Sequence, residues 1–284
     1  MKEGATFCTQ CGFKTSANAV PPPPPSRSAP QKIPPAFTPN PAGGQLSGDG
    51  YRVSEGPSFA VLTVYLEAEQ SMVAESGAMV AMSSNIELQS QMKGGLMGAL
   101  KRKIAGESLF QSTFTARGGP GEVLLAPAAL GDIAALSLSG QTFLVQSSSF
   151  LASDLTLTMD TKFAGAKGFF AREGLFMIHI TGTGRLFVSS FGAIVRKTLA
   201  PGERYVVDTG HIVAFENTIQ YSLRKASQQG WIRSAISGEG MVAEYVGPGT
   251  LYLQTRDITA FAGWLAPFFP SQGKGGGFSI NLGD

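Results

Sequence analysis

The sequence holds four cysteine and histidine side chains, the commonest zinc ligands: Cys8 and Cys11 in the run FCTQCG, and His179 and His211 far downstream. Cys8 and Cys11 stand two residues apart with Gly12 behind them, the spacing of one zinc knuckle in which two thiolates turn towards one ion. A structural zinc takes four ligands in a tetrahedron, and the sequence holds no other cysteine. Cys8 and Cys11 are therefore half of a zinc site, and one chain alone is expected to bind the metal weakly or not at all.

The histidines do not complete it, nor do they suggest a site of their own. Metal centres of the cupin kind bring two histidines and a carboxylate together on adjacent strands. His211 has no second histidine within two residues, and His179 belongs to a different segment. No nucleophile elbow, phosphate loop or paired-acid motif appears. The expectation is a protein without catalysis.

The elements that carry these residues follow from composition. Charged residues make up 15% of the 284, against roughly 25% in an ordinary soluble domain, and the 36 glycines favour turns and strands over long helices. Two cysteines in knuckle spacing suit a reducing compartment. There is no secretory leader at the N-terminus and no apolar run of about 18 residues that would span a membrane. A net charge of +2 is too weak a field to argue for nucleic acid. The location expected is cytoplasmic, with a peripheral membrane association left open.

Residues 1–20 form the partial knuckle. Residues 21–48 hold ten of the 17 prolines and almost no large apolar side chains, so burial cannot offset their ordering entropy and a disordered linker is expected. Residues 50–270 form the folded body, and 271–284 a glycine-rich tail.

The body repeats. Gly119-Pro120-Gly121-Glu122-Val123-Leu124-Leu125 is followed by Gly182-Thr183-Gly184-Arg185-Leu186-Phe187-Val188 and by Gly247-Pro248-Gly249-Thr250-Leu251-Tyr252-Leu253, spaced by 63 and 65 positions. Each is a glycine turn, one polar residue and an apolar triplet that reads as a short buried strand. In phase with them, Met72-Val73-Ala74, Phe143-Leu144-Val145 and Tyr205-Val206-Val207 precede Met79-Val80-Ala81, Phe150-Leu151-Ala152 and Ile212-Val213-Ala214. The turn between each pair carries Gly77, Ser148 or Gly210, which reads as a hairpin. The sequence predicts an all-β fold of three tandem, β-sandwich-like repeats about an approximate threefold axis. Exposed edges of such units invite pairing with further copies, so a homo-oligomer is expected.

Each repeat also carries an apolar-basic segment that could form a short amphipathic helix. Their cations, Lys101, Arg102 and Lys103, then Lys167 and Arg172, then Arg233, are candidate contacts for a membrane surface or a protein partner. The alternative is that these segments are lids on the β core.

The runs KGGLMGALKRKIAGESLFQSTFTARGGPGEVLLAP, REGLFMIHITGTGRLFVSSFG and VGPGTLYLQTRDITAFAGWL resemble the altered-inheritance-of-mitochondria protein 24 family across about residues 50–270. The resemblance implies three repeats similar to the trp RNA-binding attenuation protein, in the double-stranded β-helix class. It implies no enzyme activity and no agreed ligand, and it links eukaryotic members to the organisation of the mitochondrial inner membrane. The N-terminal GATFCTQCGFK resembles the latter knuckle of a zinc ribbon. Its partner would be either an upstream CxxC or the Cys8 and Cys11 of a second subunit. The function expected is a non-catalytic oligomeric scaffold or binding protein with a candidate role at a membrane surface. A cytosolic, ring-like oligomer binding a small ligand or RNA is the alternative. RNA is disfavoured because the turn residues Glu122, Arg185 and Thr250 do not repeat the basic and aromatic groups that stacking on single strands requires.

Overall fold

The computed structural model describes Thr6–Phe7, Lys14–Thr15 and residues 50–91, 111–160, 176–225 and 241–269. The chain has two units, Met1–Asn40 and Pro41–Asp284. In the first, β1 (Thr6–Phe7) and β2 (Lys14–Thr15) pair antiparallel, Thr6 opposite Thr15.

The second unit is built from antiparallel strands, as the β-rich composition predicts. Its first stretch comprises β3 (Tyr51–Ser54), β4 (Val61–Leu66), β5 (Ser71–Glu75), β6 (Met79–Met82), β7 (Ile86–Gln91), β8 (Gln111–Ala116) and β9 (Gly121–Leu125). The second comprises β10 (Ile133–Gln146), β11 (Phe150–Asp154), β12 (Leu157–Asp160) and β13 (Met177–Ser189). The third comprises β14 (Ile194–Leu199), β15 (Arg204–Asp208), β16 (Ile212–Glu216), β17 (Gln220–Lys225), β18 (Met241–Val246) and β19 (Gly249–Gln254), followed by the helix α1 (Ile258–Leu265).

One pairing scheme recurs in all three stretches. In the first, β4 and β6 flank β9, and β5 and β7 flank β8. In the third, β14 and β16 flank β19, and β15 and β17 flank β18. The middle stretch runs the same ladders along two long strands, with β10, β11 and β12 all paired to β13. Even an irregularity recurs: register shifts between Met79 and Ala81, between Phe150 and Ala152, and between Ile212 and Ala214. An extra residue at the same place in each copy bends the strand in the same direction. The glycine turns have a steric basis. At Gly184 (φ 152°) a Cβ would lie 2.6 Å from Thr156 Oγ1, and at Gly249 (φ 148°) 2.6 Å from Ile219 Cγ1.

The hairpin expected between the paired triplets is not formed. β5 pairs with β8 whereas β6 pairs with β9, and β15 and β16 diverge in the same way to β18 and β19. In the second and third stretches the turn is a 3-10 segment, Ser147–Ser149 or Thr209–His211, which redirects the chain from one ladder to another. The triplets are buried strands, but they meet at a corner. Successive stretches are then stitched together: β11 pairs with β5, and β16 pairs with β10.

That stitching shapes the interior. The first core cluster gathers Leu62, Leu66, Met72, Phe114 and Leu125 but also Leu151 and Phe187 from the second stretch. The second gathers Phe143, Phe150, Ile178 and Leu186 with Val213 and Ala214 from the third. The first and second stretches each leave their core short of one strand, and the next stretch supplies it. A stretch of this size buries too little surface to stand alone, so the three are interdependent.

α1 is a departure from the sequence reading, which assigned no helix here. Asp257 caps it, its Oδ1 accepting the Thr259 and Ala260 N–H groups at 2.6 and 2.9 Å, and this satisfies donors that a helix start leaves open.

Candidate functional site

The strand ends at the corners converge on a cleft of about 650 Å³. Glu75 ends β5, Gln146 ends β10 and Asp208 ends β15, and each directly follows the apolar triplet of its stretch. All three line the cleft, together with Ser148, Ser149 and Thr209 from the 3-10 corners and the first turn of α1. Among the described residues that line it none is Lys or Arg, while Glu75, Asp208 and Asp257 are acidic. Such a wall repels anions and suits a cation or a neutral donor of N–H or O–H groups.

Most of its polar groups are committed to holding the backbone. Asp208 Oδ1 accepts the Gly210 N–H at 3.0 Å. Thr209 Oγ1 donates to the Met241 carbonyl at 3.0 Å. Gln254 accepts from the Phe191 N–H at 2.9 Å and donates to the Gly210 carbonyl at 2.8 Å. His211 Nδ1 lies 2.7 Å from the Gln254 carbonyl, to which it donates. Gly210 has no side chain for a direct reason, since a Cβ there would overlap Asp257 Oδ2.

Two acceptors from the strand ends, on Gln146 and Glu75, have no side-chain hydrogen bond among the described residues. Gln146 Oε1 is buried without a hydrogen-bond partner. Burial alone pushes the Glu75 carboxyl up to about 6. An approaching N–H, O–H or cation would find these two groups uncommitted. The sequence reading missed them because it followed the apolar triplets. The signal was the next residue in each copy, a side-chain acceptor every time: Glu75, Gln146, Asp208.

Cys8, Cys11, Lys101, Arg102, Lys103, Lys167, Arg172 and Arg233 lie outside the described residues, as do the three expected amphipathic segments. His179 sits on β13 opposite Leu144 and Asp160, its pKa lowered by burial and partly restored by Asp160. Among the described residues no group of three or more His, Cys, Asp or Glu side chains is placed to hold a metal ion.

At the mouth of the cleft α1 presents a second kind of surface. None of its residues is buried. Trp264 is 62% exposed, and Phe268 and Phe269, just beyond the helix, are 71% and 57% exposed. Phe191, Phe261, Trp264 and Phe268 form a ladder with ring centroids 5.2, 5.9 and 5.4 Å apart. No charged side chain lies between Ile258 and Phe269. Among the described residues no helix is long and apolar enough to cross a membrane.

Comparison with known proteins places this architecture. The chain is 30% identical over 230 residues to an uncharacterised protein of Streptococcus pyogenes serotype M6, covering 78% of this chain and 91% of that one. It superposes on the crystal structure of a Streptococcus pyogenes protein with a TM-score of 0.65 at 29% identity, covering 77% of this chain and 99% of the other. Residues 51–256 match the model of the family described as mitochondrial biogenesis AIM24. That span takes in all three stretches of strands, and the chain belongs to the AIM24 family.

Proposed function

We propose that this protein is a non-catalytic binding protein that docks peripherally on a membrane surface through the aromatic helix α1. The observation that carries the reading is the exposed, charge-free run from Ile258 to Phe269. Exposed apolar side chains scattered singly need no explanation, but a contiguous ladder of them marks a contact surface. Trp and Phe at high density, without charges to steer a specific protein partner, suit the boundary between headgroups and acyl chains. The eight residues of α1 are too few to span a bilayer. They can lie in its plane.

Vesicle flotation tests this. The full chain should float with phosphatidylcholine vesicles containing phosphatidylserine, and high salt should weaken the association little, because apolar burial dominates it. Burying one large aromatic side chain contributes about 1.5–3 kcal/mol. Trp264→Ala with Phe268→Ala should therefore lower vesicle affinity by about a hundredfold or more. A native chain that does not float with these vesicles refutes the reading. If the same double variant changes the mass of the protein in solution instead, the ladder is a protein contact.

A further inference from the structure

The cleft at the corners carries more hydrogen-bonding groups than the chain itself uses. β13, β11 and β5 are neighbours in one sheet. Their antiparallel pairing brings the end of β13, the start of β11 and the end of β5 to the same edge. Ser189 closes β13, Ser149 leads into β11 and Glu75 closes β5, and all three line the cleft. Ser149 and Ser189 are 2% and 3% exposed, yet neither hydroxyl has a hydrogen bond among the described residues. Buried polar groups are almost always paired, so unpaired hydroxyls on the wall of a cavity mark a place for a guest.

Charge decides the kind of guest. The titratable groups on the cleft wall are Glu75, Asp208 and Asp257. Asp208 and Asp257 each commit an oxygen to backbone N–H groups, at 3.0 Å and 2.6 Å, whereas Glu75 commits none among the described residues. Above about pH 6 its carboxyl is ionised, and a partly desolvated carboxylate with no cation beside it favours a positive guest. An inorganic ion fits poorly, because among the described residues no three His, Cys, Asp or Glu side chains are placed to hold one. An ammonium group makes a different demand, since its N–H bonds each need one acceptor, and carboxylates and hydroxyls both serve. Phe191 and Ile258 line the same cleft, and Phe191 leads outwards to Phe261, with ring centroids 5.2 Å apart. That is an apolar path for a carbon chain.

We infer that the cleft binds a primary amine as its ammonium form. Glu75 is the counter-ion, Ser149 and Ser189 accept hydrogen bonds, and the carbon chain lies towards Phe191. The ammonium comes either from a soluble amine or from the ethanolamine headgroup of a lipid. Binding of a soluble amine needs no contact between α1 and a membrane, so it is measured independently of vesicle docking.

Isothermal titration calorimetry of the full chain with hexylammonium chloride at neutral pH tests this. The native chain should bind the amine, and hexanol, which keeps the carbon chain without the charge, should bind about tenfold more weakly or worse. Glu75→Gln keeps the size of the side chain and should lose about tenfold or more in affinity for the amine. Ser149→Ala should lose about fivefold, with an unchanged circular dichroism spectrum. A native chain that does not bind hexylammonium overturns the inference. So does hexanol bound as tightly as the amine, or a Glu75→Gln variant that binds the amine as the native chain does. Flotation then separates the sources. If the ammonium is a headgroup, adding phosphatidylethanolamine to phosphatidylcholine vesicles should raise flotation of the native chain and not of Glu75→Gln. If hexylammonium binds and neither chain responds to the added lipid, the guest is a soluble amine.

Discussion

Replacing Glu75 by glutamine tests whether the cleft is as dry as its geometry suggests. Burial raises the carboxyl from 4.5 to about 6, so the folded chain holds a proton that the unfolded chain releases between those two values. The native state thus binds more protons in that window, and stability falls as pH rises through it. Below about pH 4.5 both states carry the neutral acid and the effect vanishes. Above about pH 6 it is complete. A pKa unit corresponds to about 1.4 kcal/mol, which gives about 2 kcal/mol for the whole shift. Glu75 is only partly buried, and solvent screening reduces this to about 1 kcal/mol. Urea unfolding of the native chain and of Glu75→Gln from pH 4 to pH 8 should give curves that coincide at the acidic end. At pH 7 the variant should be more stable by about 1 kcal/mol. A variant less stable than the native chain at pH 7 would refute the reasoning, because the carboxylate would then have a partner that offsets its burial.

Two further substitutions probe an ion pair within the β body and the cap of α1. Asp154 and Arg185 form an ion pair at 2.7 Å with side chains 18% and 13% exposed, and Asp154 also accepts the Arg185 backbone N–H at 2.8 Å. Asp154→Ala removes the carboxylate that holds the guanidinium and should cost about 3 kcal/mol, read as a lower urea midpoint with an unchanged slope. Asp257→Ala removes the cap of α1 and should cost about 1 kcal/mol locally. Hydrogen exchange should accelerate at the Thr259 and Ala260 amides while the β core is unaffected.

The sequence exposes the β class and the threefold pattern of strands because each copy repeats its turn glycines and apolar triplets in phase. The strand connections are another matter. Met72–Ala74 and Met79–Ala81 look like two arms of a hairpin, since apolar triplets five residues apart with a glycine between them are what a hairpin requires. Their actual partners, Phe114 and Leu125 among them, lie roughly 40 residues or more away, and local patterns do not encode pairings at that range. The cleft was hidden for a related reason. Glu75, Gln146 and Asp208 are ordinary polar residues after a strand, and only the corner that turns each chain end the same way gathers them. α1 was legible in principle, from Asp257 as a cap. Its uncharged, aromatic face has no polar stripe, so the amphipathic pattern that reveals most surface helices is absent.

The recurring scheme has a consequence for how the chain could be extended. Residues 92–110, 161–176 and 226–240 each connect the same two strands of their stretch, β7 to β8, β12 to β13 and β17 to β18. At the first and third of these the flanking residues are already cross-strand partners, Gln91 with Gln111 and Lys225 with Met241. With both ends clamped by a ladder, the closure cost of a longer connection grows by only about 0.6 kcal/mol for each doubling of its length. Neither ladder that joins one stretch to the next passes through these positions. A tag, a peptide epitope or a small domain inserted there would leave the registers of β5 with β11 and of β10 with β16 untouched. The ladders that join the stretches therefore set no limit on the length of these three connections.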